Sequence, residues 1–394
     1  MEQSERSGGN AFKRLFSIGA LMFGTYCGGA MASGTYATGY MATFGGGWMF
    51  VFLAIFFAFM AFFCAISLDF AQAYDTKDYN EFALALYDLN RPNANHVLRL
   101  IVSTYFDVFN LLMGGITAAA TVALFGELFY QLFGVPVMIA SFGAVILFAF
   151  LTIYGAAFLR KFNTIMTILL VVSLGAILIA VCNIRGGILM ERLGNFQVGM
   201  DWSKTTLQAH ISMLIAYCFT TAQWGCTLTN HTDVVKNRKE CYLCGLMIGV
   251  LVCVLFFVTG CIVIPFLPEE MNATPILSIC KQYLPMVLTG VYWLVVMISV
   301  ISTGPTFAYN IANRFAKVWK TDKVGHKTKF FIIALAFLML CYALSSLGLM
   351  TLAQKGYALA GKIAVPGIAV PLVISIFRVT KKRRALEAAK NAEN

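Results

Sequence analysis

Three hydroxyl side chains at helical spacing lie in one apolar stretch of the chain. Ser299, Ser302 and Thr303 are separated by three and four positions, so they share one face of a helix. Hydroxyl and carbonyl oxygens gathered in this way suit a hard cation such as Na⁺ that has lost its water. The same hydroxyls are equally suited to bond a carbonyl four residues earlier or a neighbouring helix. The spacing predicts a candidate Na⁺ site, with a structural alternative.

Two ionisable residues lie well inside apolar stretches. Asp107 and Lys362 are each about ten residues from the nearer end of their stretch, or about 15 Å at the rise of a helix. Charges at such depth in a membrane are costly and usually serve a function. We predict that the two face each other or share a cavity, where both contact a solute and Asp107 pairs with its amino group. Alternatively, Lys362 replaces a coupling cation, or the two form a structural ion pair.

A glycine-rich stretch interrupts the first apolar run. No charged side chain occurs in residues 15–68, and eight of the 24 residues in 24–47 are glycine. Adjacent glycines weaken a helix and allow a second helix or a ligand to approach its main chain. We predict a broken helix at a binding site, and a close helix–helix contact without a ligand is the alternative. The predicted solute contacts are Gly28, Gly29, Ala30, Met31 and Ser33.

A second interrupted stretch lies in the middle of the chain. In residues 206–228 the apolar pattern gives way at its centre, 217–225, to Tyr, Thr, Gln, Trp and Gly. A pair of interrupted helices at corresponding places in two halves of a chain is typical of a transporter's central site. The alternative is that the two stretches only pack together. The predicted contacts are Tyr217, Phe219, Thr220, Thr221, Gln223 and Trp224.

Composition indicates a membrane protein. The 394 residues are 59% hydrophobic and 12% charged, about half the charged fraction of a soluble protein. The net charge of +11 falls between the apolar stretches and forms no basic domain, which excludes nucleic acid as a partner. The 11 cysteines lie almost wholly in apolar stretches, so no disulfide framework is expected. No catalytic or nucleotide-binding motif occurs in a suitable context, so we predict that the protein is not an enzyme.

Ten stretches are long enough to cross a membrane, at about 20 apolar residues each. With an even number of spans both termini lie on one side, and that side carries 23 of the 29 Lys and Arg residues, so we place it in the cytoplasm. We also expect short helices in 71–97, capped by Asp78, and in 269–280. The predicted spans are 15–40, 48–70, 98–125, 136–156, 163–184, 206–228, 241–266, 284–311, 330–347 and 352–377.

The predicted fold class is an all-α polytopic membrane protein. Ten transmembrane helices divide into two halves of five, and because five is odd the halves form a 5+5 inverted repeat, with discontinuous helices 1 and 6 in equivalent positions. The predicted divisions are a cytoplasmic tail 1–14, the first repeat 15–184, an outer loop 185–205, the second repeat 206–377 and a basic cytoplasmic tail 378–394.

The stretch Gly24–Gly34, GTYCGGAMASG, resembles the first span of YkvI-like membrane proteins, whose pattern there is close to GTVVGAGFASGQE. The resemblance extends over the ten spans and includes SLGLMTLAQKGYALAG before the tenth. It implies the amino acid–polyamine–organocation superfamily and the leucine-transporter fold. In that fold spans 1 and 6 are unwound around the substrate, and a bundle of spans 1, 2, 6 and 7 rocks against a scaffold of 3, 4, 8 and 9.

The resemblance also implies a sodium site. Its ligands are the carbonyls of Gly24, Cys27 and Ser299 with the hydroxyls of Ser302 and Thr303, in agreement with the spacing argument. The sequence departs from the pattern at Thr35-Tyr36, where the family has Gln-Glu. The substrate and the coupling ion therefore stay open.

Together these features predict a secondary active transporter of a small organic solute, an amino acid or an amine, in the plasma membrane. Transport is coupled to Na⁺ or H⁺ by alternating access, and Tyr217, Phe219 and Trp224 close over the solute. The expected partners are the solute, the coupling cation and membrane lipid, with no cofactor beyond the candidate Na⁺. The alternatives are a channel or passive facilitator on the same scaffold, and a non-transporting sensor or assembly partner.

Overall fold

The computed structural model describes residues 2–26, 29–42, 44–196, 206–319 and 325–393, and these are helical with short connections and no β-strand. The α-helices are α1 Glu2–Tyr26, α2 Gly29–Ala32, α3 Trp48–Tyr74, α4 Tyr79–Leu86, α5 His96–Phe133, α6 Val137–Leu151, α7 Gly155–Leu193, α8 Leu207–Phe219, α9 Gly225–Leu228, α10 Arg238–Val263, α11 Pro275–Tyr283, α12 Met286–Val318, α13 His326–Ser345, α14 Leu349–Thr351, α15 Tyr357–Ala364 and α16 Val370–Glu393.

Seven helical stretches of the described chain are long and apolar enough to cross a membrane, so the chain is a multi-pass membrane protein. They are Trp48–Tyr74, His96–Phe133, Ile168–Leu193, Arg238–Phe266, Met286–Ala316, His326–Ser345 and Leu349–Ala385. The other three predicted spans coincide with shorter pieces. Helix α6 has 15 residues, and the first and sixth predicted spans are divided into several elements.

The first predicted span leaves regular α-helix after α2, within its described part. Helix α2 is a single turn, and Gly34 adopts a left-handed φ of 85°. A side chain is strained at that φ, which is a physical reason for glycine at this turn. A π-helix, Ala37–Met41, follows the turn. The prediction of an interrupted helix is confirmed for these residues.

The sixth predicted span is interrupted at the predicted place. Helix α8 ends at Phe219 and is followed by a 3₁₀-helix, Thr220–Trp224, by α9, and by a second 3₁₀-helix, Thr229–Val234. The tenth predicted span is interrupted as well, because π-helices at Leu352–Gly356 and Val365–Ala369 flank α15. The sequence analysis did not predict these π-helices.

Both predicted connecting helices are present. Asp78 caps α4, since its carboxylate accepts hydrogen bonds from the backbone N–H groups of Asn80 and Glu81 at 2.9 Å each. Helix α11 begins at Pro275, where proline's missing N–H costs no hydrogen bond. The Ser33 carbonyl accepts from the Ile276 N–H at 3.2 Å, which ties the first span to α11.

Charged residues gather at one end of the bundle, which we call the charged face and define by Arg14, Asp69, Arg238, Arg314 and Arg383. Arg14 of α1 pairs with Glu240 at 2.9 Å. The buried Asp69 carboxylate, at the end of α3, pairs with Arg383 of α16 at 2.6 Å and with Arg238 of α10 at 3.0 Å. We call the opposite end, which carries α11, the α11 face. The first and last helices thus both reach the charged face.

Close helix crossings hold the central elements together. Helix α10 packs along α3, where a Cβ on Gly245 would lie 2.6 Å from the Ala61 carbonyl oxygen. Helix α15 approaches α8 more closely still, since a Cβ on Gly361 would lie 1.6 Å from the Ala216 carbonyl oxygen. Only glycine permits that approach. It brings the tenth span against the sixth at the level of the interruption.

Candidate functional site

A hydrogen-bonded pair of aromatic rings joins the two interrupted spans. Tyr26 is the last residue of α1, and Trp224 ends the 3₁₀-helix after α8. The Trp224 Nε1 donates to the Tyr26 hydroxyl at 2.7 Å, and the ring centroids lie 5.1 Å apart. Helix α1 runs away from the charged face, and α8 runs towards it. Tyr26 and Trp224 therefore lie on the side of both interruptions that is nearer to the charged face. The two interrupted stretches are therefore in direct contact.

A second aromatic layer lies on the α11 side. The Tyr40 and Tyr217 rings stack at 4.7 Å, and the Tyr36 ring lies 5.4 Å from Tyr217. The Tyr40 hydroxyl donates to the Ala353 carbonyl at 2.9 Å, which anchors the layer to the tenth span. These three tyrosines are at most 7% exposed, so the layer is closed. Tyrosine rings are well suited to such a position because they pack as apolar bodies while their hydroxyls bind neighbours.

A cavity of about 60 Å³ lies between the two aromatic layers. A single buried water needs about 10–15 Å³ measured in this way, so the volume corresponds to a few waters. Pockets for larger ligands occupy roughly 300 Å³ or more. A solute of amino-acid size therefore requires the rings to move apart, because the cavity in this conformation is too small for it.

Five predicted contact residues line the cavity: Met31, Tyr217, Thr220, Gln223 and Trp224. They come from both interrupted spans. The interruption thus places main chain and side chains of two distant stretches around one volume, as the sequence analysis expected. Contact between these five residues and a solute is a proposal.

Three other predicted residues face elsewhere. The Ser33 hydroxyl bonds Thr35 at 2.6 Å, near α11. Phe219 packs against Phe59 of α3 with ring centroids 5.0 Å apart. Thr221 is fully buried but does not line the cavity. Gly29 lies in α2, whereas Gly28, Cys27 and the side chain of Ala30 fall outside the described residues.

Asp107 has a different partner from the predicted one. Arg314 of α12 donates to both carboxylate oxygens, from Nε at 3.1 Å and from Nη2 at 2.8 Å, and Tyr79 of α4 donates to the same carboxylate. Burial raises the pKa of the Tyr79 hydroxyl, and the bond to Asp107 raises it further, so the phenol stays neutral and keeps its proton. The charge of Asp107 is satisfied within the charged face, and Asp107 does not line the cavity.

The predicted pairing of Asp107 with Lys362 is wrong. Lys362 is exposed on α15 and forms no ion pair with any described residue. It lies on the same outer stripe as Leu359 and Val370, which are also exposed. Counting residues from the end of each span gave the two residues equal depths, but depth does not indicate the helix face on which a residue lies. Asp107 and Lys362 project from faces that do not meet.

The candidate Na⁺ ligands are partly described. Thr303 and Ser299 are buried, and the Thr303 hydroxyl donates to the Ser299 carbonyl at 2.9 Å. Gly24 is buried in α1, and the side chain of Ser302 falls outside the described residues. The first and eighth spans are neighbours, since the Tyr292 hydroxyl donates to the Ala32 carbonyl at 2.6 Å.

The donor set at this position consists of neutral oxygens. Pro305 lies inside α12 and cannot bond the Ile301 carbonyl, which leaves one more oxygen available. The described residues contain no group of three or more His, Cys, Asp or Glu that would suit a divalent metal. Neutral hydroxyl and carbonyl oxygens fit Na⁺ better than a divalent ion.

Eight cavity residues were not predicted: Tyr26, Tyr36, Met113, Thr117, Ala120, Thr121, Phe307 and Tyr357. Those of α5 and α12 lie in ordinary apolar helix, where nothing in the sequence distinguishes them from lipid-facing residues. Tyr36 carried a signal, because it is the position at which the chain departs from the resembled pattern. Tyr357 lies in the stretch before the tenth span that supported the resemblance, but no role was assigned to it.

The same architecture occurs in solved transporter structures. A structure described as MhsT in complex with L-phenylalanine has a TM-score of 0.62, covering 89% of this chain and 87% of that chain at 15% identity. The chain has the leucine-transporter fold. The inward-facing conformation of Mhp1 has a TM-score of 0.57, covering 89% and 75% of the two chains at 16% identity.

A third structure with the leucine-transporter fold is a closed conformation of Mhp1 with bromovinylhydantoin bound, with a TM-score of 0.51. It covers 84% of this chain and 74% of that chain at 16% identity. No protein-family model matches the chain, and no curated protein matches it. The fold expectation is confirmed at this level, whereas the YkvI-like family is not confirmed.

Proposed function

We propose that the protein is a secondary transporter that moves a small organic solute across a membrane by alternating access. The observation that carries the proposal is the cavity between two interrupted spans, with an aromatic layer on each side. A cavity that opens to one side at a time must have a closing layer on each side. Rearranging the Tyr26–Trp224 pair opens the charged-face side, and separating the tyrosine layer opens the α11 side.

The ligands and activities of the similar structures support this proposal. MhsT is described with bound L-phenylalanine, and Mhp1 is described as a nucleobase-cation-symport-1 family transporter. Both are therefore proteins that bind small organic molecules on this fold. At 15–16% identity the likeness extends to the fold alone, so the solute of this chain is argued from its own residues.

We infer that the chain is organised as ten spans in two inverted halves, with spans 1, 2, 6 and 7 moving against 3, 4, 8 and 9. The ion pairs of the charged face agree with this division. Arg14 with Glu240 joins spans 1 and 7, and Arg314 with Asp107 joins spans 8 and 3, so each pair lies within one group. These pairs can stay intact while the groups move. The excess of positive residues at the charged face supports its proposed location on the cytoplasmic side of a plasma membrane.

The proposed coupling ion is Na⁺, held by oxygens of Gly24, Cys27, Ser299, Ser302 and Thr303. The described residues of this set contribute neutral oxygens from spans 1 and 8, which are neighbours. Span 1 belongs to the proposed moving group, and span 8 belongs to the group against which it moves. A cation between the groups stabilises one arrangement over the other, which is the physical requirement for coupling. Proton coupling is the alternative, and the experiment below distinguishes the two.

The test is uptake of a solute panel into proteoliposomes that contain the purified full-length chain, with an inward Na⁺ gradient and without it. We expect saturable uptake with counterflow that falls at least tenfold when Na⁺ is removed. The double variant Ser302→Ala/Thr303→Ala is expected to abolish the Na⁺ dependence. The matched double variant Ser345→Ala/Ser346→Ala, which removes two back-bonded hydroxyls at the end of α13, is expected to keep it.

Each alternative has its own outcome in this experiment. Flux without saturation or counterflow contradicts the transporter and indicates a channel or facilitator. The absence of uptake for every solute, together with a stable protein partner, indicates a sensor or assembly role. Uptake driven by a proton gradient, and unchanged in the Ser302→Ala/Thr303→Ala variant, would falsify the sodium proposal while leaving the transporter intact.

A further inference from the structure

One polar side chain of the cavity has no protein partner. Gln223 lies in the 3₁₀-helix between Tyr217 and Trp224, is 7% exposed and lines the cavity. Its Oε1 is buried and accepts no hydrogen bond from the described residues. A buried polar group left without a hydrogen bond typically costs about 1–3 kcal/mol. Gln223 therefore presents a free acceptor to the cavity, and a ligand that displaces water from it must supply a donor to complete the pairing.

Several of the other polar groups around Gln223 are already engaged as donors, and the lining also includes Tyr26, Tyr36 and Tyr217, whose hydroxyls can donate or accept. The hydroxyls of Thr117, Thr121 and Thr220 each donate to a carbonyl of their own helix at 2.6 to 2.8 Å. Tyr357 donates to Thr117, and Trp224 donates to Tyr26. The cavity therefore offers several acceptor lone pairs and one primary amide, which presents an N–H donor and a carbonyl acceptor side by side.

A charged solute fits this cavity poorly. No charged side chain is among the described lining residues, and the nearest candidate, Asp107, is paired with Arg314 at the charged face. A buried ion without a partner is far more costly than a buried neutral group. An ammonium group satisfies only the acceptor of the Gln223 amide, and a carboxylate satisfies only its donor. A neutral group that offers both satisfies both.

The walls of the cavity favour a flat solute. Tyr26, Tyr36, Tyr217, Trp224 and Tyr357 all contribute rings, and adjacent rings lie 5.1 to 6.3 Å apart by their centroids. Aromatic and other planar groups gain by offset or edge-to-face packing on such rings. Glutamine amides pair with the edge of a flat heterocycle through two parallel hydrogen bonds in other recognition settings.

We propose that the solute is a small, electrically neutral and planar molecule whose edge carries an N–H group next to a carbonyl, as in a lactam, a ureide, a pyrimidine base or an aromatic carboxamide. Gln223 pairs with that edge, and the tyrosines and Trp224 pack on the flat body. This inference rests on the proposed function for its site, but it concerns binding and can be tested without transport.

The experiment measures the thermal unfolding midpoint of the purified full-length chain with two matched sets of probes. Benzamide, benzoate and benzylamine share one ring and differ in the charge of the head group. Uracil and 1,3-dimethyluracil share one heterocycle and differ in the N–H donors. We expect a concentration-dependent rise with benzamide or uracil, and at least a tenfold weaker effect with the charged and methylated analogues.

The variant Gln223→Met tests the assigned residue. It keeps the length of the side chain and removes both polar atoms, so the midpoint without ligand is expected to be unchanged or higher. The response to benzamide or uracil is expected to weaken at least tenfold. Since the unliganded protein is not destabilised, loss of binding in this variant cannot be attributed to misfolding.

The outcomes separate this inference from the proposed function. A larger response to benzoate, benzylamine or L-phenylalanine than to the neutral probes overturns the inference and leaves the transporter standing. An equal response of Gln223→Met and the natural chain, or no response to any probe, overturns it as well. Binding of the neutral probes without their uptake into proteoliposomes supports the inference and contradicts the transporter.

Discussion

At the scale of single residues, the charged groups of the chain serve its architecture and the neutral polar groups surround its cavity. Asp107 shows the first part. Its carboxylate receives two hydrogen bonds from Arg314 and one from Tyr79, and so connects α5, α12 and α4. Bidentate arginine–carboxylate pairs are among the stronger polar contacts in proteins. The carboxylate therefore stabilises the charged face and does not select a solute.

We expect Asp107→Asn to lower the free energy of unfolding by about 1–3 kcal/mol, because Arg314 loses its anionic partner in a partly buried position. The matched variant Asp88→Asn removes one carboxylate of an exposed pair with Arg91, and is expected to change stability by less than about 1 kcal/mol. Thermal unfolding of the two variants makes the comparison. If Asp107→Asn instead abolishes solute binding at unchanged stability, Asp107 contacts the solute and this assignment is wrong.

The sequence indicated which stretch carries the cavity residues better than it indicated which side chains of that stretch face the cavity. The stretch 217–225 was recognised because Tyr, Thr, Gln and Trp are unusual at the centre of an apolar span, and three of the residues predicted there besides Tyr217 line the cavity. Thr220 and Thr221 were indistinguishable in sequence, since the choice between them depends on the exact turn of the 3₁₀-helix. Arg314 was counted as a loop residue because the end of α12 was placed too early, so the partner of Asp107 was missed.

At the scale of the helices, interruption and close approach define the site. The first and sixth spans lose regular α-helix at the predicted places, and glycine-rich composition was a sufficient signal for the first. The π-helices of the tenth span carried no comparable signal. Their effect is visible only in three dimensions, where Gly361 of α15 meets the Ala216 carbonyl of α8.

We expect Gly361→Ala to destabilise the protein by about 3 kcal/mol or more, because the new methyl group would lie 1.6 Å from the Ala216 oxygen and must push α15 away from α8. Gly115→Ala is the matched control, since a methyl group there meets no atom within 4 Å. That control is expected to be neutral, or stabilising by up to about 1 kcal/mol through helix propensity. Equal midpoints in thermal unfolding would show that the crossing is looser than the structure indicates.

At the scale of the whole molecule, several contacts join the C-terminal helix to the moving group. Arg383 of α16 pairs with the buried Asp69 at the end of α3, and Lys382 lies 4.0 Å from the centroid of the Tyr74 ring. Arg378 donates to the Leu86 carbonyl at the end of α4. Among the described ion pairs of the charged face, Asp69–Arg383 links the proposed moving spans to the tenth span. It must therefore change when the charged face opens.

We expect Arg383→Gln to loosen this end of the molecule, because Asp69 then keeps only Arg238 as a cationic partner. Backbone amide hydrogen exchange is expected to rise severalfold in residues 378–393 and near the end of α3, with no change in the centres of the spans. Arg384→Gln is the matched control, since Arg384 is exposed and has no ion pair among the described residues. Similar exchange in both variants would contradict a specific role of Arg383.

Part of the overall fold could be predicted from the sequence. Apolar length, charge sorting and two interruptions predicted an all-helical membrane protein, and the resemblance to YkvI-like proteins implied the leucine-transporter fold, which the solved structures support. The ten-span inverted repeat goes beyond that finding and stays a prediction. The cavity could not be derived in full, because seven of its eight unpredicted residues come from α5, α12 and the tenth span or from the end of α1, at helix faces that only packing determines.

The central claim is that the cavity between the two interrupted spans binds the solute, and adjacent threonines provide the most direct test. The Thr220 and Thr221 hydroxyls each donate to the carbonyl three residues earlier at 2.6 Å, but only Thr220 of the two lines the cavity. Thr220→Val and Thr221→Val therefore make the same chemical change on two sides of one helix.

The measurement is the rise in the thermal unfolding midpoint produced by the solute that most stabilises the natural chain, compared in the two variants. Thr220→Val is expected to reduce that rise strongly, because a methyl group replaces an acceptor in the cavity, while Thr221→Val retains it. An equal response in the two variants, or a panel of small organic solutes and Na⁺ that never raises the midpoint of the natural chain, would contradict a solute site in this cavity.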